Sequence, residues 1–542
     1  MLPPALMPEG FDYDVIIVGS GFGGSPTALR LVEKGYSVLM LEKGSELGPA
    51  QFPRSNWNVW RWLWMPWLGA RGLFKMTFFR HVTVLSGVGV GGGSLVYAST
   101  HPVPNTSFFH TGSWAGLAAW EEELRPHYAE VKRMLGVNPT PMLTPPDKII
   151  KAIAEERGQS EGFHPTDVAI YFGDPGKTVD DPYFDGEGPP RTGCIRCGGC
   201  MLGCQHGAKN TLDKNYLWLA RKQGLVLQAD TEVTAVRPLP PGRGGGYQVE
   251  AKHGRHPLWR RRKVYTARRV VLAGGVLGTV ELLAKMKRDP RGLPRLSDKL
   301  GAAIRTNSES LIGVVTAKRD LDYSKGVAIG SIFEIDEHAH LEPVRYPAGS
   351  GAWRLALLPH VTGENGVVRI ARMLGTMIRH PLRLLRAMLV PDLAKQSAIL
   401  LYMRTADGTL RFVRRWWGSL GSQREAGPAP TASIPQATEL AHAFGERMGG
   451  MPMSLVTETA LNIPTTAHIL GGCCMGDSIE TGVIDAEHRV HGYEGLYVID
   501  GSSISSNPGV NPSLTIAALA ERAVARWPSR AEASMADQTA AQ

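Results

Sequence analysis

The segment Asp14-Val-Ile-Ile-Val-Gly-Ser-Gly-Phe-Gly-Gly24 constrains the fold of this chain more than any other. Val15 to Val18 form an apolar run suited to a buried strand, and the glycines at 19, 21 and 24 mark a turn into a helix. Ser37-Val-Leu-Met-Leu-Glu42 then reads as the parallel strand that completes a βαβ unit and ends on an acid. Such a unit binds an adenine dinucleotide. Gly19 permits the tight turn, Gly21 lets the backbone approach a pyrophosphate, and Gly24 lets the helix lie close on the sheet. The helix N-terminus adds unpaired N–H groups and positive potential, and Glu42 can accept hydrogen bonds from a ribose. Taken alone, the unit leaves NAD and FAD open.

With 542 residues, 43% of them hydrophobic, the chain can bury a large core and is expected to form two or more domains or one intertwined pair. Its formal charge of +9 comes without a nucleic-acid-binding motif, so the basic excess is assigned to a surface or membrane-facing patch, with no nucleic-acid partner. No apolar run approaches the roughly 18 residues that span a bilayer. The start, Met1-Leu-Pro-Pro-Ala, lacks a charged region followed by an apolar core. The expectation is a cytoplasmic protein with no transmembrane helix.

A second block, Gly87-Val-Gly-Val-Gly-Gly92-Gly93-Ser94, is too rich in glycine for a core strand and suits close approach of backbone to a large planar or phosphorylated ligand. Arg269-Val-Val-Leu-Ala-Gly274-Gly-Val-Leu-Gly278 is again strand, glycine turn and helix, returning the chain to the first sheet. Helices are expected over 117–136 and 436–448, a helical stretch from the cysteines to 220, strands over 226–236, 247–251, 311–316 and 327–335, and a last helix over 511–522. The fold class expected is α/β, a Rossmann-like dinucleotide domain with an inserted antiparallel-sheet substrate domain plus helices. The first is assembled from residues 10–110, 205–310 and 462–528. Residues 111–204 link, 311–461 form the substrate domain, and 529–542 form a frayed tail.

The dinucleotide unit, the Gly87–Tyr97 block, Ala467-His468-Ile-Leu-Gly-Gly472, and Asp500-Gly-Ser-Ser-Ile with Gly509-Val-Asn511-Pro-Ser-Leu-Thr-Ile together resemble the glucose-methanol-choline family of flavin oxidoreductases. Within it the likeness is to bacterial cholesterol oxidases, over about residues 11–527. The resemblance implies that the dinucleotide is FAD. Gly19, Gly21, Gly24 and Glu42 would hold its ADP half, the loop of Gly87, Gly92, Gly93 and Ser94 would pass the isoalloxazine, and Val233 would touch the adenine side. Gly274 belongs to the returning turn, and Asp500 and Gly501 would complete the ribityl and pyrophosphate contacts. His468 matches the family's active-site histidine and Asn511 its hydrogen-bonding partner, although a turn-capping histidine and an N-cap asparagine are the plain alternatives. Oxidising an alcohol removes a hydroxyl proton and a carbinol hydride, and a neutral imidazole beside a flavin can take the proton. Glu342, in Leu341-Glu342-Pro-Val-Arg-Tyr-Pro-Ala-Gly349, matches the carboxylate that shifts a sterol double bond; a surface glutamate is the alternative.

Cys194, Cys197, Cys200 and Cys204 depart from the simple oxidase pattern. Their C-x2-C-x2-C-x3-C spacing matches the run that holds iron–sulfur clusters in bacterial ferredoxins, although Gln205 stands where proline is usual. A [4Fe–4S] cluster is the expectation, with zinc or reduced structural thiols as alternatives. A cluster near the flavin would direct electrons to an acceptor protein or quinone rather than to oxygen.

Five of the thirteen tryptophans fall between Trp57 and Trp67, and Val367–Val390 carries five arginines among Ile, Leu and Met with no acid. Both stretches suit peripheral contact with the inner face of a membrane, which would help an enzyme that extracts a sterol. Cavity lining or a subunit interface is the other reading of the tryptophans. The function expected is FAD-dependent oxidation of a sterol's secondary hydroxyl. The alternatives are another lipophilic or terpenoid alcohol as substrate, or an electron-transfer flavoprotein with none.

Overall fold

The computed structural model describes residues 10–541 except 241–244, 257, 258, 407 and 426, with side chains described as far as 535. β1 (Tyr13–Val18) lies between β2 (Val38–Leu41) and β3 (Arg261–Leu272), all parallel, and Val226–Gln228 extends the sheet beyond β2. Val15, Ile16 and Ile17 are fully buried because β1 is covered on both faces, which is why its sequence is continuously apolar rather than alternating. Beyond β3 the sheet splits. Leu496–Val498 runs parallel to Val270–Leu272, while Tyr247–His253 and then Thr231–Pro238 add antiparallel beside the first half of β3.

α1 (Gly24–Glu33) follows β1 and packs on Tyr216–Lys222 and Ser513–Ala525. The Arg30 guanidinium fixes that layer, reaching Glu521 at 2.7 Å and Glu130 at 2.6 Å. Helices separated by almost five hundred residues in sequence therefore share one face of the dinucleotide domain. α2 (Gly275–Arg288) follows β3 through a glycine turn, as its sequence suggests.

A second seven-stranded sheet is antiparallel throughout, with β4 (Ser310–Thr316), β5 (Ala339–Val344) and β6 (Ser397–Arg404) at its centre. The period of two is legible in its burial. Ile312 and Val314 of β4 enter an apolar core shared with helix Pro435–Met448, whereas Leu311, Gly313 and Val315 face the large cavity between the sheets. β6 divides likewise, Ala398, Leu400 and Tyr402 inward and Ile399 and Leu401 to the cavity. Phe163–Pro165, from the segment read as a link, supplies an edge strand of this sheet.

Two local expectations need correction. The cysteine segment is not a helix but a series of turns, with one 3-10 turn at Cys200–Leu202 and left-handed φ at Arg196, Gly198, Gly203 and Cys204. The small, polar tail is helical over Arg530–Ala541. Ser529 and Glu532 cap it reciprocally, the Ser529 N–H donating to Glu532 Oε2 at 2.7 Å, and Arg530 pairs with Asp14 at 3.0 Å. Among the described residues no helix is long and apolar enough to cross a membrane.

Candidate active site

A cavity of about 730 Å³ opens at the C-terminal ends of β1 and β3 and runs to the second sheet. Its floor is made by the glycine turns, and their roles separate on steric grounds. At Gly19, with φ of 105°, a Cβ would lie 2.3 Å from the carbonyl oxygen of Ala273; at Gly24 it would lie 2.1 Å from that of Gly19. Gly23, not singled out by the sequence motif, would place a Cβ 1.8 Å from the Ile499 carbonyl oxygen. Gly21 differs: nothing lies within 4 Å of its Cβ direction, and it faces the cavity. Three glycines let the protein close on itself and one keeps space free for a ligand.

The second glycine loop lies over the first, Gly92 so close to Gly21 that a Cβ would sit 2.7 Å from its Cα. Gly87, Gly92, Gly93, Val233, Gly274, Asp500 and Gly501 all line the cavity with Gly19, Gly21 and Glu42. Gly24 and Ser94 do not. Ser94 is fully buried and holds the loop from behind, donating to Gly91 O at 2.7 Å and accepting from Leu212 N–H at 3.1 Å. Glu42 accepts from the N–H and hydroxyl of Ser20 at 3.1 and 2.8 Å and from Gly44 N–H at 2.8 Å. A carboxylate has about four lone-pair sites, so one stays free for a ribose.

α1 has no acidic residue in its first turn, and Lys43 and Lys75 stand on the cavity wall. The Lys43 charge, followed by burial, brings the Lys75 ammonium down to about 8. The open space at Gly21 and the N-terminus of α1, which has no side-chain cap, suit a pyrophosphate. Asp500 lines the cavity beside Gly501. Its carboxylate is saturated by Gly275 N–H, Thr279 Oγ1, Ser502 N–H and Ser502 Oγ, at 2.8, 2.5, 2.8 and 2.5 Å. It pins the start of α2 to the Gly501–Ser503 turn, leaving backbone rather than carboxylate to meet a ligand. Burial raises its pKa against those hydrogen bonds.

His468 and Asn511 line the same cavity. His468 Nδ1 meets Glu309 Oε1 at 2.6 Å, so it carries the proton and leaves Nε2 for the cavity. Glu309 is buried and also accepts from Thr466 Oγ1 and Ala467 N–H, each at 3.0 Å. Burial draws the imidazole pKa down, but the charge of Glu309, its hydrogen bond, and the more distant Glu342 outweigh that and leave it raised. Glu309 escaped the sequence reading; it lies 159 residues from His468 in no recognisable motif.

Glu342 is wholly buried in β5, on the face that also presents Val344 to the cavity, yet stands behind the wall. Asn511 Nδ2 donates to its Oε2 at 3.4 Å, and His340 Nε2 lies 3.5 Å from Oε1. Glu342 Oε1 and Asn511 Oδ1 have no hydrogen-bond partner. Buried acceptors are rarely left unpaired without a functional reason.

Cys194, Cys197, Cys200 and Cys204 converge, with Lys209, on a pocket of about 10 Å³. All are free thiols, but among the described residues no three His, Cys, Asp or Glu side chains are grouped to hold a metal ion. The iron–sulfur expectation and its zinc alternative therefore find no support in the arrangement. The physical reason is packing: Cys194 and Cys200 belong to an apolar cluster with Val168, Ile170 and Val327. Burial pushes their thiols up to about 11 and about 12. Lys209 is spent on Cys200 O at 2.7 Å and Leu95 O at 3.2 Å.

A parallel-sheet dinucleotide domain, a cavity that joins it to a second sheet, and a carboxylate-held histidine on the shared wall define an oxidoreductase that works with a bound dinucleotide. Residues 190–286 and 401–520 match models of the GMC oxidoreductase family, and residues 17–77 match an NAD(P)-binding Rossmann-like domain. The chain is 44% identical over 531 residues to a cholesterol oxidase of Acinetobacter baumannii, covering 96% of this chain and 95% of that one. It is equally 44% identical over 539 residues to a cholesterol oxidase of Mycobacterium tuberculosis, covering 96% and 92%. It belongs to the GMC oxidoreductase family and is an FAD-dependent alcohol oxidoreductase. A 2-methyl-1,2-propanediol dehydrogenase of Mycolicibacterium austroafricanum is 26% identical over 559 residues, 94% of each chain. Among solved structures, pyridoxine 4-oxidase from Mesorbium loti superposes with a TM-score of 0.61 over 95% of this chain and 99% of that one; at 15% identity the likeness is one of fold.

Proposed function

We propose that this enzyme oxidises the secondary hydroxyl of a sterol, or of a bulky lipophilic alcohol shaped like one, to a ketone, with oxygen as electron acceptor. The observation that carries this reading is the apolar extension of the cavity. Past His468 and Asn511 its wall is made by Leu311, Val315, Ile329, Val344, Ile399 and Leu401. Burying a fused-ring hydrocarbon there gains about 25 cal/mol for each Å² removed from water, and a polar alcohol gains little. The cholesterol oxidases among the relatives favour the same substrate class and oxygen.

FAD, held by the glycine turns at Gly19–Gly24 and Gly87–Gly93, would supply the acceptor for the carbinol hydride. His468 Nε2 takes the hydroxyl proton, Glu309 holds the ring in the tautomer that can take it, and Asn511 orients the hydroxyl. The thiols and the alternative of a relay to an acceptor protein have no part in this reading. Anaerobic addition of a 3β-hydroxysterol is expected to bleach the flavin. Bleaching by other lipophilic alcohols and not by sterols overturns the substrate class.

His468 must be unprotonated to accept a proton, so kcat is expected to rise with pH through its pKa, which Glu309 raises. Glu309→Gln removes that charge, and the acid limb of the pH–rate profile should move to lower pH while the maximum falls. An unmoved limb would show that Glu309 only fills space.

The proposal gives Glu342 a second step, taking a proton from the carbon between the ring double bond and the new ketone and returning it at the far end. Its unpaired Oε1 and its contact with the cavity-lining Asn511 support this. Glu342→Gln is expected to release the unconjugated enone, read by loss of conjugated-enone absorbance with flavin bleaching retained. An unchanged product removes Glu342 from that role.

A further inference from the structure

The surface beyond the cavity's apolar end carries a feature that the chemistry does not use. α3 (Gly366–Arg379) and α4 (Pro381–Met388) meet at the kink imposed by Pro381. Apolar residues on amphipathic helices normally face the core; here a full stripe faces out. Val367, Ile370, Leu374 and Ile378 recur at helical spacing on one face of α3, with Val367 and Ile378 each 78% exposed. Leu382, Leu385 and Leu389 continue the stripe at 65%, 53% and 69%.

The inner face is anchored. Arg369 is fully buried, its Nε donating to Thr459 O at 2.9 Å and its other nitrogens to Ser433 Oγ and Glu458 O. Leu384 and Ala387 pack with Trp353, Leu357 and Leu393, three residues that also line the cavity. The two helices are thus the outer wall of the cavity's apolar end. Arg372, Arg379, Arg383 and Arg386 are exposed beside the stripe, and no acid occurs between Glu364 and Asp392. On the neighbouring segment, Trp57, Trp60 and Trp67 are 48%, 61% and 73% exposed, and Asn56 Oδ1 accepts from Ala352 N–H at 3.0 Å next to Trp353.

We infer that α3 and α4 lie in the headgroup layer of an anionic lipid bilayer, apolar stripe toward the acyl chains and arginines at the phosphates. The charge pattern selects this occupant. A second copy docked across a two-fold axis would set arginine against arginine with no acid to relieve it, whereas an anionic surface neutralises each one. The tryptophans extend the contact at the depth where their rings are favoured. A substrate leaving the bilayer would meet the wall formed by Trp353 and Leu357 without crossing water. The purpose of this surface rests on the lipophilic substrate proposed above, but its test does not.

The FAD-loaded full chain, mixed with vesicles of phosphatidylcholine alone or with phosphatidylserine added, is expected to float with the anionic vesicles and to float less with the neutral ones. Arg379→Gln and Arg383→Gln should each weaken anionic binding about fivefold. The pair Ile378→Glu and Leu382→Glu should abolish it, with flavin content and turnover of detergent-dispersed substrate retained. Absence of flotation with either vesicle overturns the inference, as does equal flotation of wild type and the double glutamate variant. So does a wild-type dimer that the glutamate variant converts to monomer without any vesicle binding. Flotation with no turnover of any sterol would leave the membrane surface standing and remove the substrate proposal instead.

Discussion

His468→Gln is expected to lower turnover by about 10²–10⁴-fold, the usual contribution of a positioned general base, while flavin content and thermal unfolding stay near wild type. Two observations set the size of this effect. Nδ1 is held by Glu309 at 2.6 Å, so Nε2 has one available task, and it faces the cavity wall shared with Asn511. Glutamine keeps a polar side chain at the site but has no nitrogen that accepts a proton near neutral pH. Stopped-flow reduction under argon reads the chemical step directly. A flavin reduction rate within a factor of three of wild type would show that the proton leaves by another route. Loss of flavin from the variant would mean that His468 supports the cofactor rather than the reaction.

The second large effect separates the glycines of the cradle. Gly21→Val is expected to yield a folded protein without flavin, because its side chain would enter open space on the ligand side. Gly24→Ala is expected to damage the fold itself, because its Cβ would sit 2.1 Å from the Gly19 carbonyl oxygen. Overpacking of that kind costs about 1–3 kcal/mol or more. Flavin absorbance of each variant as purified, with differential scanning calorimetry after flavin removal, distinguishes the two. If Gly21→Val retains full flavin, the pyrophosphate does not pass over Gly21.

The dinucleotide half of the molecule was legible in the sequence because its determinants are local. Strand, turn, helix and acid fall within thirty residues, each constrained by its neighbours. His468 and Asn511 were reachable because each stands in a recognisable block. Glu309 was not, since its role exists only where the start of β4 passes behind residues 465–468, and nothing in Asn307-Ser308-Glu309 marks it. Asp500 was placed at the wall it occupies, but the hydrogen bonds of its carboxylate to Thr279 and Gly275 were not legible, because they are decided by tertiary packing. The cysteines teach a related lesson. Spacing says that four thiols can meet, and the left-handed turns at Arg196, Gly198, Gly203 and Cys204 do gather them, but among apolar neighbours and without a grouping among the described residues that supports a metal site.

The contact between Gly23 and Ile499 has a consequence for the order of events during synthesis. The glycine turn leaves the ribosome long before the backbone it closes against, at residues 499 and 500, and α1 packs on the still later helix Ser513–Ala525. Until those arrive, β3 has one unpaired edge along Val270–Leu272 and the nascent cradle has no lid. Domains generally fold as units, so this one cannot finish while residues 496–525 are inside the exit tunnel. Flavin capture in the finished cradle must therefore wait until those later segments have emerged.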